Sequence, residues 1–530
     1  MYKKFLKSFD NLKIFSYFKN PDKYRISVIL IVLLSFVIRF YDFSGRWGIG
    51  ADSARDALIA LEALHRHQLP MMGPFSSAGP FVTGGIYYWL IMASYMIFPF
   101  LTAPWVLTGL VSVISVILLM YLGKILVGRS FSLIIGVLAM LSPQYVGIAI
   151  ELSNPGFVIV FSILTIIFFV KLWQKNKSIF SLLMGLSIGL AINMHYQAIS
   201  LLVFLPAVLF VPKSSLKNKI IAFFLALLGV FVISLPILYW DFHQNFANTR
   251  NILDYLLIGQ YRIYFPNSWR LFLFKYFPSY WARDTGNYFW IGLILFIASG
   301  LAFVLSVLRK KVFSQMLSLG IIFLILLFIN KSYRGERSDN YMLYLSPLIL
   351  IFTAFMINQF FSFKNRIIKL AGLTVLILLI FINLITVKNI LGYKNIMVWE
   401  ETIIKSLNEK YPNQKFSIYD YKYQNYKFSL PLSLLLRSEN KLDINGVKIG
   451  VNCYGKDCPD KAHSVLIKPV RVVDLGDVNP AKLDIKKGIW ITVNPSSVYN
   501  NQVGWLNKSQ LKSTFTFSFE KYIIGMLGKI

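Results

Sequence analysis

A polytopic α-helical membrane protein of about eleven spans, followed by a small C-terminal α/β domain, is the fold class that the sequence predicts. Three observations predict it. The 530-residue chain is 56% hydrophobic, with a mean hydropathy of +0.59. Apolar runs of about eighteen residues or more recur along it, each able to cross a bilayer at about 1.5 Å per residue; a β-barrel would show alternating segments of about ten residues instead. The charge is patterned: 54 Lys+Arg against 24 Asp+Glu give a net +30, and the basic residues lie mainly in short loops between apolar runs. That is the positive-inside pattern, and basic loops sit well against anionic headgroups, so the basic excess does not point to nucleic acid. The same apolar runs stop near residue 390, and the polar remainder bounds the C-terminal domain.

The runs fall at about 25–41, 101–123, 130–148, 156–173, 179–194, 197–212, 219–240, 288–308, 313–329, 341–361 and 367–388. The N-terminus, 1–24, is basic but long for a signal peptide. The run after it ends in "VIRFYDFSGRWG" without a small-residue cleavage site, so a retained first span is expected. With the N-terminus cytoplasmic, the cytoplasmic loops become "GKILVGRS", "KLWQKNKS", "PKSSLKNK", "LRKKVF" and "FKNRIIK". All are basic and none contains Asp or Glu. The outer face then holds loops 42–100 and 241–287, the segment around Glu151, the turn near His195 and "NKSYRGERSDNY". The stretch "GGIYYWLIMASYMIFPF", 84–100, is short for a span, and counting it as one would invert every later loop. It reads as an interfacial or partly inserted helix with Tyr87, Tyr88 and Trp89 in the headgroup belt.

The odd number of spans places 391–530 on the outer face as well. There "IMVWEETIIKSLNEK" has helical apolar spacing, while "KFSIYDY", "GVKIGVNCY", "GIWITVN" and "STFTFSFEKYII" read as strands. Cys453 and Cys458 are the only cysteines. They exclude a four-cysteine zinc site and are compatible with a local disulfide in an extracytoplasmic region.

Ionisable residues are nearly absent from the span centres, which argues against a proton-coupled transporter. They gather instead in "GADSARDALIALEALHRHQLP", 50–70, where Ala54, Leu58, Leu61 and Leu64 form an apolar stripe at helical spacing. Asp52 begins this helix and reads equally as a cap or as a chemical group. Asp56, Glu62 and Arg66 read as a solvated polar face, with Glu62 and Arg66 paired at i,i+4. Asp241 and His243 suit helix ends as well as a site.

In order along the chain come the first span, the Asp-led amphipathic helix, "LP", "YYWL", "YLGKILVGRS" and "LSPQYVG". "ELSNPGF", "NMHYQA", "YWDFHQNFANTR" and "SDNYMLYLSP" follow. This succession resembles, over roughly residues 25–360, the GT-C glycosyltransferases that use polyprenyl-phosphate sugars, in particular the protein O-mannosyltransferase and aminoarabinose transferase family. The resemblance implies a GT-C-type bundle with outer-face juxtamembrane helices. It also implies a hexosyl- or pentosyltransferase that moves a sugar, with inversion, from a polyprenyl-phosphate donor to a hydroxyl of a protein, lipid or glycan. Asp52 matches the family's catalytic acid/base. The chain departs from the family in three places. Ser53 stands where many relatives have Glu, "FVTGGIYY" replaces a Glu-Lys-Pro-Pro stretch with its lysine, and Gly156 follows Pro155 where some members carry Asp, leaving Glu151 as the only acid nearby.

Transfer from a lipid phosphate to a hydroxyl needs a base on the acceptor and positive charge on the leaving phosphate. Asp52 is the candidate base. Arg55, Arg262, Arg283, Arg334 and Arg337 are candidates for the phosphate, with a divalent cation as a possible further aid, and Tyr87, Glu151 and His195 complete the candidate substrate site. Competing classes are a lipid-linked glycan transporter, an O-antigen ligase or polymerase, and a noncatalytic receptor that binds through its C-terminal domain.

Overall fold

The computed structural model describes residues 22–76, 79–212, 214–261, 269–310, 312–335 and 339–393. Beyond these it describes 404–405, 409, 416–420, 426–438, 489–495, 511–519 and 522–529. The first helix, α1 (Lys23–Phe40), is capped by Asp22, whose carboxylate accepts from the Arg25 N–H at 2.8 Å. Helix α2 (Ala51–His65) follows, then a hairpin of β1 (Met72–Phe75) and β2 (Val82–Gly84), and then α3 (Ile86–Ile97). Next come α4 (Ala103–Leu126), α5 (Arg129–Leu141), the short α6 (Pro143–Gly147), α7 (Val158–Lys175) and α8 (Ile179–Met194). The remaining bundle helices are α9 (Leu216–His243), α10 (Ala247–Leu257), α11 (Phe277–Asp284), α12 (Phe289–Leu308), α13 (Ser314–Ser332), α14 (Ser346–Ser362) and α15 (Arg366–Gly392).

The protein is a multi-pass helical membrane protein. Among the described residues, seven helices are long and apolar enough to cross a bilayer, or eight if the α5–α6 pair, bent by 52°, is one span. The other three of the eleven expected spans fall short of that measure by length or by charge. Helix α8 has 16 residues, about 24 Å at 1.5 Å per residue against a core of about 30 Å. The segment Tyr196–Phe210 is likewise short, and α1 carries Lys23, Arg25 and Arg39. Helix α3 has 12 residues, in keeping with a segment that does not span.

The α5–α6 bend follows from Pro143, which has no N–H to give the carbonyl of Ala139. Arg39, wholly buried on α1, supplies donors instead: to Ala139 O at 3.1 Å, Met140 O at 2.9 Å and Ser112 Oγ at 2.9 Å. Ser112 in turn donates to Tyr145 O at 2.7 Å. The chain leaving α6 therefore has a fixed course to Glu151, which forms an isolated bridge with Gly48.

In the C-terminal region, β3 (Phe416–Asp420), β4 (Ile489–Pro495), β5 (Leu511–Phe519) and β6 (Tyr522–Lys529) form one sheet in the order β3-β4-β6-β5, with β3 parallel to β4 and the other pairs antiparallel. Three of the four expected strand segments fall in this sheet; "GVKIGVNCY", both cysteines and most of "IMVWEETIIKSLNEK" lie outside the described residues. One helix was not expected, α16 (Tyr426–Ser438), with Pro431 inside it. Leu432, Leu434 and Leu436 are wholly buried, and α16 packs along α2.

Candidate functional site

Helix α2 organises the site. Its N-cap is Gly50, not Asp52. Asp52 occupies the first turn, where a carboxylate still meets the positive end of the helix dipole. Its side chain is 82% exposed, and Arg55 Nη1 donates to it at 2.8 Å. The "DSARD" spacing puts Asp52, Arg55 and Asp56 on one face, at i, i+3 and i+4. Arg55 therefore also reaches Asp56 Oδ1, from Nε and Nη2, each at 2.9 Å.

Asp56 is not solvated as the sequence suggested. It is 2% exposed and accepts from the Tyr88 hydroxyl at 3.3 Å. Burial pushes its carboxyl above the usual range, against the opposing pull of Arg55. Tyr87 and Tyr88 are likewise buried rather than in a headgroup belt, because α3 turns them toward Asp56; Tyr87 packs edge-on against Phe157 at 5.8 Å. Tyr88, Asp56 and Arg55 thus form a supporting chain that ends at the exposed Asp52. Neither Tyr88 nor Asp56 was among the candidate site residues, although the paired tyrosines and the "DSARD" spacing carried the signal.

Glu151 connects a further candidate, Arg283, to this corner. Glu151 lies within electrostatic reach of both Asp52 and Arg283. Burial by the surrounding protein and the neighbouring Asp52 charge raise the Glu151 carboxyl above its ordinary value, while Arg283 draws it down. Gly48, bridged to Glu151, also accepts from Trp105 Nε1 at 2.9 Å. Arg283 sits near the end of α11 and is exposed. The following residue, Asp284, was absent from the candidate set. It is buried and accepts from Ser346 Oγ at 2.5 Å and Ser142 Oγ at 3.5 Å. Both serines precede a proline at a helix start, in the two "LSP" stretches 141–143 and 345–347. Burial lifts the Asp284 carboxyl to about 7 despite the two hydroxyls and Arg283. A recurring "LSP" with an acid after Arg283 was the available signal.

His195 lies apart from this corner in sequence and is reached through "ELSNPGF": Asn154 Nδ2 donates to Met194 O at 2.6 Å. Its ring stacks on Tyr341 at 4.8 Å, and burial holds the imidazole down to about 4, so it is neutral at physiological pH. Nearby lies "FVTGGIYY", the stretch that stands in place of the lysine-bearing one the resemblance led us to expect. A Cβ on Gly84 would overlap Asn193 of "NMHYQA", and one on Gly85 would overlap the Pro70 carbonyl, so this hairpin takes no larger side chains there. Asp241 acts as a helix-end group, accepting from the N–H of Asn248 at 2.8 Å and of Thr249 at 3.0 Å. The backbone N–H of Arg334 donates to Gln260 Oε1 at 3.0 Å. Arg262 and Arg337 lie outside the described residues.

Among the described residues, no group of three or more His, Cys, Asp and Glu is placed to hold a metal ion. The corner offers two carboxylates, Asp52 and Glu151, flanked by two guanidinium groups.

Residues 84–240 match the family model described as dolichyl-phosphate-mannose-protein mannosyltransferase. Among solved structures, ArnT from Cupriavidus metallidurans bound to undecaprenyl phosphate is similar at TM-score 0.62 and 15% identity, covering 94% of this chain and 97% of that one. The Archaeoglobus fulgidus oligosaccharyltransferase in its apo form follows at TM-score 0.55 and 12% identity, covering 96% and 75%. The same organism's AglB, in complex with an inhibitory peptide and a dolichol-phosphate, scores 0.52 at 10% identity, covering 95% and 74%. A search of curated protein sequences found no match. The fold is the GT-C fold of the ArnT type, as the order of the sequence motifs implied.

Proposed function

We propose that the chain is a membrane glycosyltransferase that moves a sugar from a polyprenyl-phosphate donor to a hydroxyl acceptor, with inversion, on the extracytoplasmic face. One observation carries this reading: an exposed carboxylate, Asp52, held by a buried Tyr88–Asp56–Arg55 chain beside Glu151 and Arg283, in a GT-C fold. The mannosyltransferase match at 84–240 supports the donor class. So do the lipid phosphates named with ArnT and AglB.

Asp52 accepts the proton of the acceptor hydroxyl as its oxygen attacks the anomeric carbon. Attack comes from the side opposite the phosphate, the carbon–phosphate-oxygen bond breaks, and the anomeric configuration inverts. The lipid phosphate leaves with the bonding electrons, and among the described residues Arg55 and Arg283 are the candidates to offset its charge. Arg55 is anchored by Asp56, so it offers Asp52 a fixed rather than a wandering partner. Asp52 and Glu151 also suit a divalent cation that keeps waters and substrate phosphate as its other ligands; when bound, such an ion supplies further positive charge to the leaving group. The uniformly basic loops favour a cytoplasmic N-terminus and, with an odd number of spans, an outer-face C-terminal region.

Deleting the gene and analysing cell-envelope glycans and polyprenyl-phosphate sugars by mass spectrometry tests the reading. One donor accumulates and one glycan is lost; an unchanged profile of both would sink it. With the accumulated donor in hand, a chelator is expected to lower the rate and added Mg²⁺ or Mn²⁺ to restore it. A rate indifferent to the chelator removes the cation.

A further inference from the structure

The far end of α2 is built unlike its exposed start. Glu62, three turns beyond Asp52, is 1% exposed. Arg66 Nε meets its Oε1 at 2.5 Å, and Arg437 Nη2 of α16 approaches its Oε2 at 3.8 Å. Neither Glu62 Oε2 nor Arg437 Nε has a hydrogen-bond partner among the described residues. Around this pair α16 buries Leu432, Leu434, Leu435 and Leu436.

We infer that α16 is a clamp on the Asp52 helix, and that Glu62 and Arg437 are positioning residues that set the register of α2 for the transfer reaction. The leucines supply attraction between the helices, but apolar contact is non-directional and tolerates sliding. A buried ion pair adds little attraction, because removing both charges from water offsets most of their Coulomb gain. What it adds is direction: only one axial and rotational setting of α2 brings Glu62 to Arg437. Glu62 lies ten positions after Asp52 on one continuous helix, so a setting imposed at one end is transmitted along a rigid rod to the other. Arg437 comes from a segment between β3 and β4, which pair in parallel. The parallel pair requires a crossover connection, and α16 lies within it, so the sheet of the C-terminal region holds the clamp.

This inference rests on the catalytic reading of Asp52, and the test separates the two. The full chain is reconstituted in lipid and assayed with the polyprenyl-phosphate-sugar fraction extracted from cells lacking the protein. Arg437→Gln is expected to lower kcat about tenfold with an unchanged donor KM, and Arg437→Lys to recover most of that loss. Glu62→Gln combined with Arg437→Gln should be no worse than the more severe single change, because paired residues are not additive. Hydrogen exchange supplies a readout independent of activity: amides of 51–65 should exchange about tenfold faster in Arg437→Gln than in the parent, with the rest of the bundle unchanged. Unchanged kcat and unchanged exchange would overturn the clamp. So would a proportional loss of kcat and of protection throughout the bundle, with no rescue by lysine, since that is a folding defect. Asp52→Asn at full rate removes the catalytic reading, while exchange in 51–65 still judges the clamp.

Discussion

The two ends of α2 hold the same kind of pair, a carboxylate and an arginine within one helical turn, and use it differently. At the start, Asp52 is 82% exposed and meets Arg55 at 2.8 Å. At the end, Glu62 is 1% exposed and lies between Arg66 and Arg437. An exposed pair contributes about 0–1 kcal/mol to stability, so nothing structural requires an acid at position 52. Breaking a buried pair costs about 3–5 kcal/mol, because the partner charge is left without compensation. Chemistry can therefore be placed at the open end without weakening the fold, and fixed geometry at the closed end without exposing it to substrate.

Two substitutions should pull this contrast apart. Asp52→Asn is expected to lower transfer by about 10²–10⁴-fold, the range for loss of a general base. Its melting temperature should match the parent's, since surface changes stay within about 0.5 kcal/mol. Glu62→Ala should do the reverse in kind, with about 3–5 kcal/mol of stability lost and activity falling with the folded fraction and with the register of α2. Denaturation of both proteins in the same detergent measures the contrast. If Asp52→Asn were the more destabilising of the two, the division of labour along α2 would be wrong.

Asp284 extends the comparison to a carboxyl buried among hydroxyls rather than cations. Its folded value is about 7, against about 3.9 for an unfolded aspartate. The folded protein therefore holds a proton that the unfolded chain gives up across roughly pH 4 to 7. Stability from this group falls as pH rises through that window and is level above it. Asp284→Asn keeps the acceptor for Ser346 and has no charge to form, so the parent's melting-temperature advantage over it should shrink from pH 4.5 to pH 7.5. A difference constant across the two pH values would contradict the neutral, buried carboxyl.

Much of this was legible in the sequence, and the parts that were not share a cause. Apolar runs gave the long bundle helices their approximate places, because each is written in consecutive residues; α10 and α11 fell inside the expected loop 241–287. Motif order gave the GT-C architecture and nominated Asp52 as the candidate base, since both are read along the chain. Burial is not written that way. Asp56 and Glu62 carry ordinary helical spacing and read as solvated, and only the packing of α3 and α16 encloses them. Tyr87 and Tyr88 looked like a headgroup belt for the same reason: an aromatic pair on a short apolar helix suits either setting until the neighbouring helix is known. Helix α16 itself was obscured by Pro431, a helix breaker in local terms. The eleven-span count stays unconfirmed where a run is apolar but short, as in α8, or apolar but charged at its ends, as in α1.

The supporting chain behind Asp52 predicts the smallest effect, and it tests whether the open end of α2 is truly pre-organised. Tyr88 donates to Asp56 at 3.3 Å, a long hydrogen bond whose loss costs about 0.5–1.5 kcal/mol. Tyr88→Phe keeps the ring and its packing. Asp56 loses one partner but retains both contacts from Arg55, so Arg55 stays paired and Asp52 keeps its neighbour. A two- to tenfold fall in kcat with donor KM unchanged is expected, the conversion of that energy at 1.4 kcal/mol per decade. The loss should largely vanish in an Asp56→Asn background, where the hydroxyl no longer serves a carboxylate. If the two substitutions multiplied instead, Tyr88 would act on substrate directly, and the open end would owe its geometry to Arg55 alone.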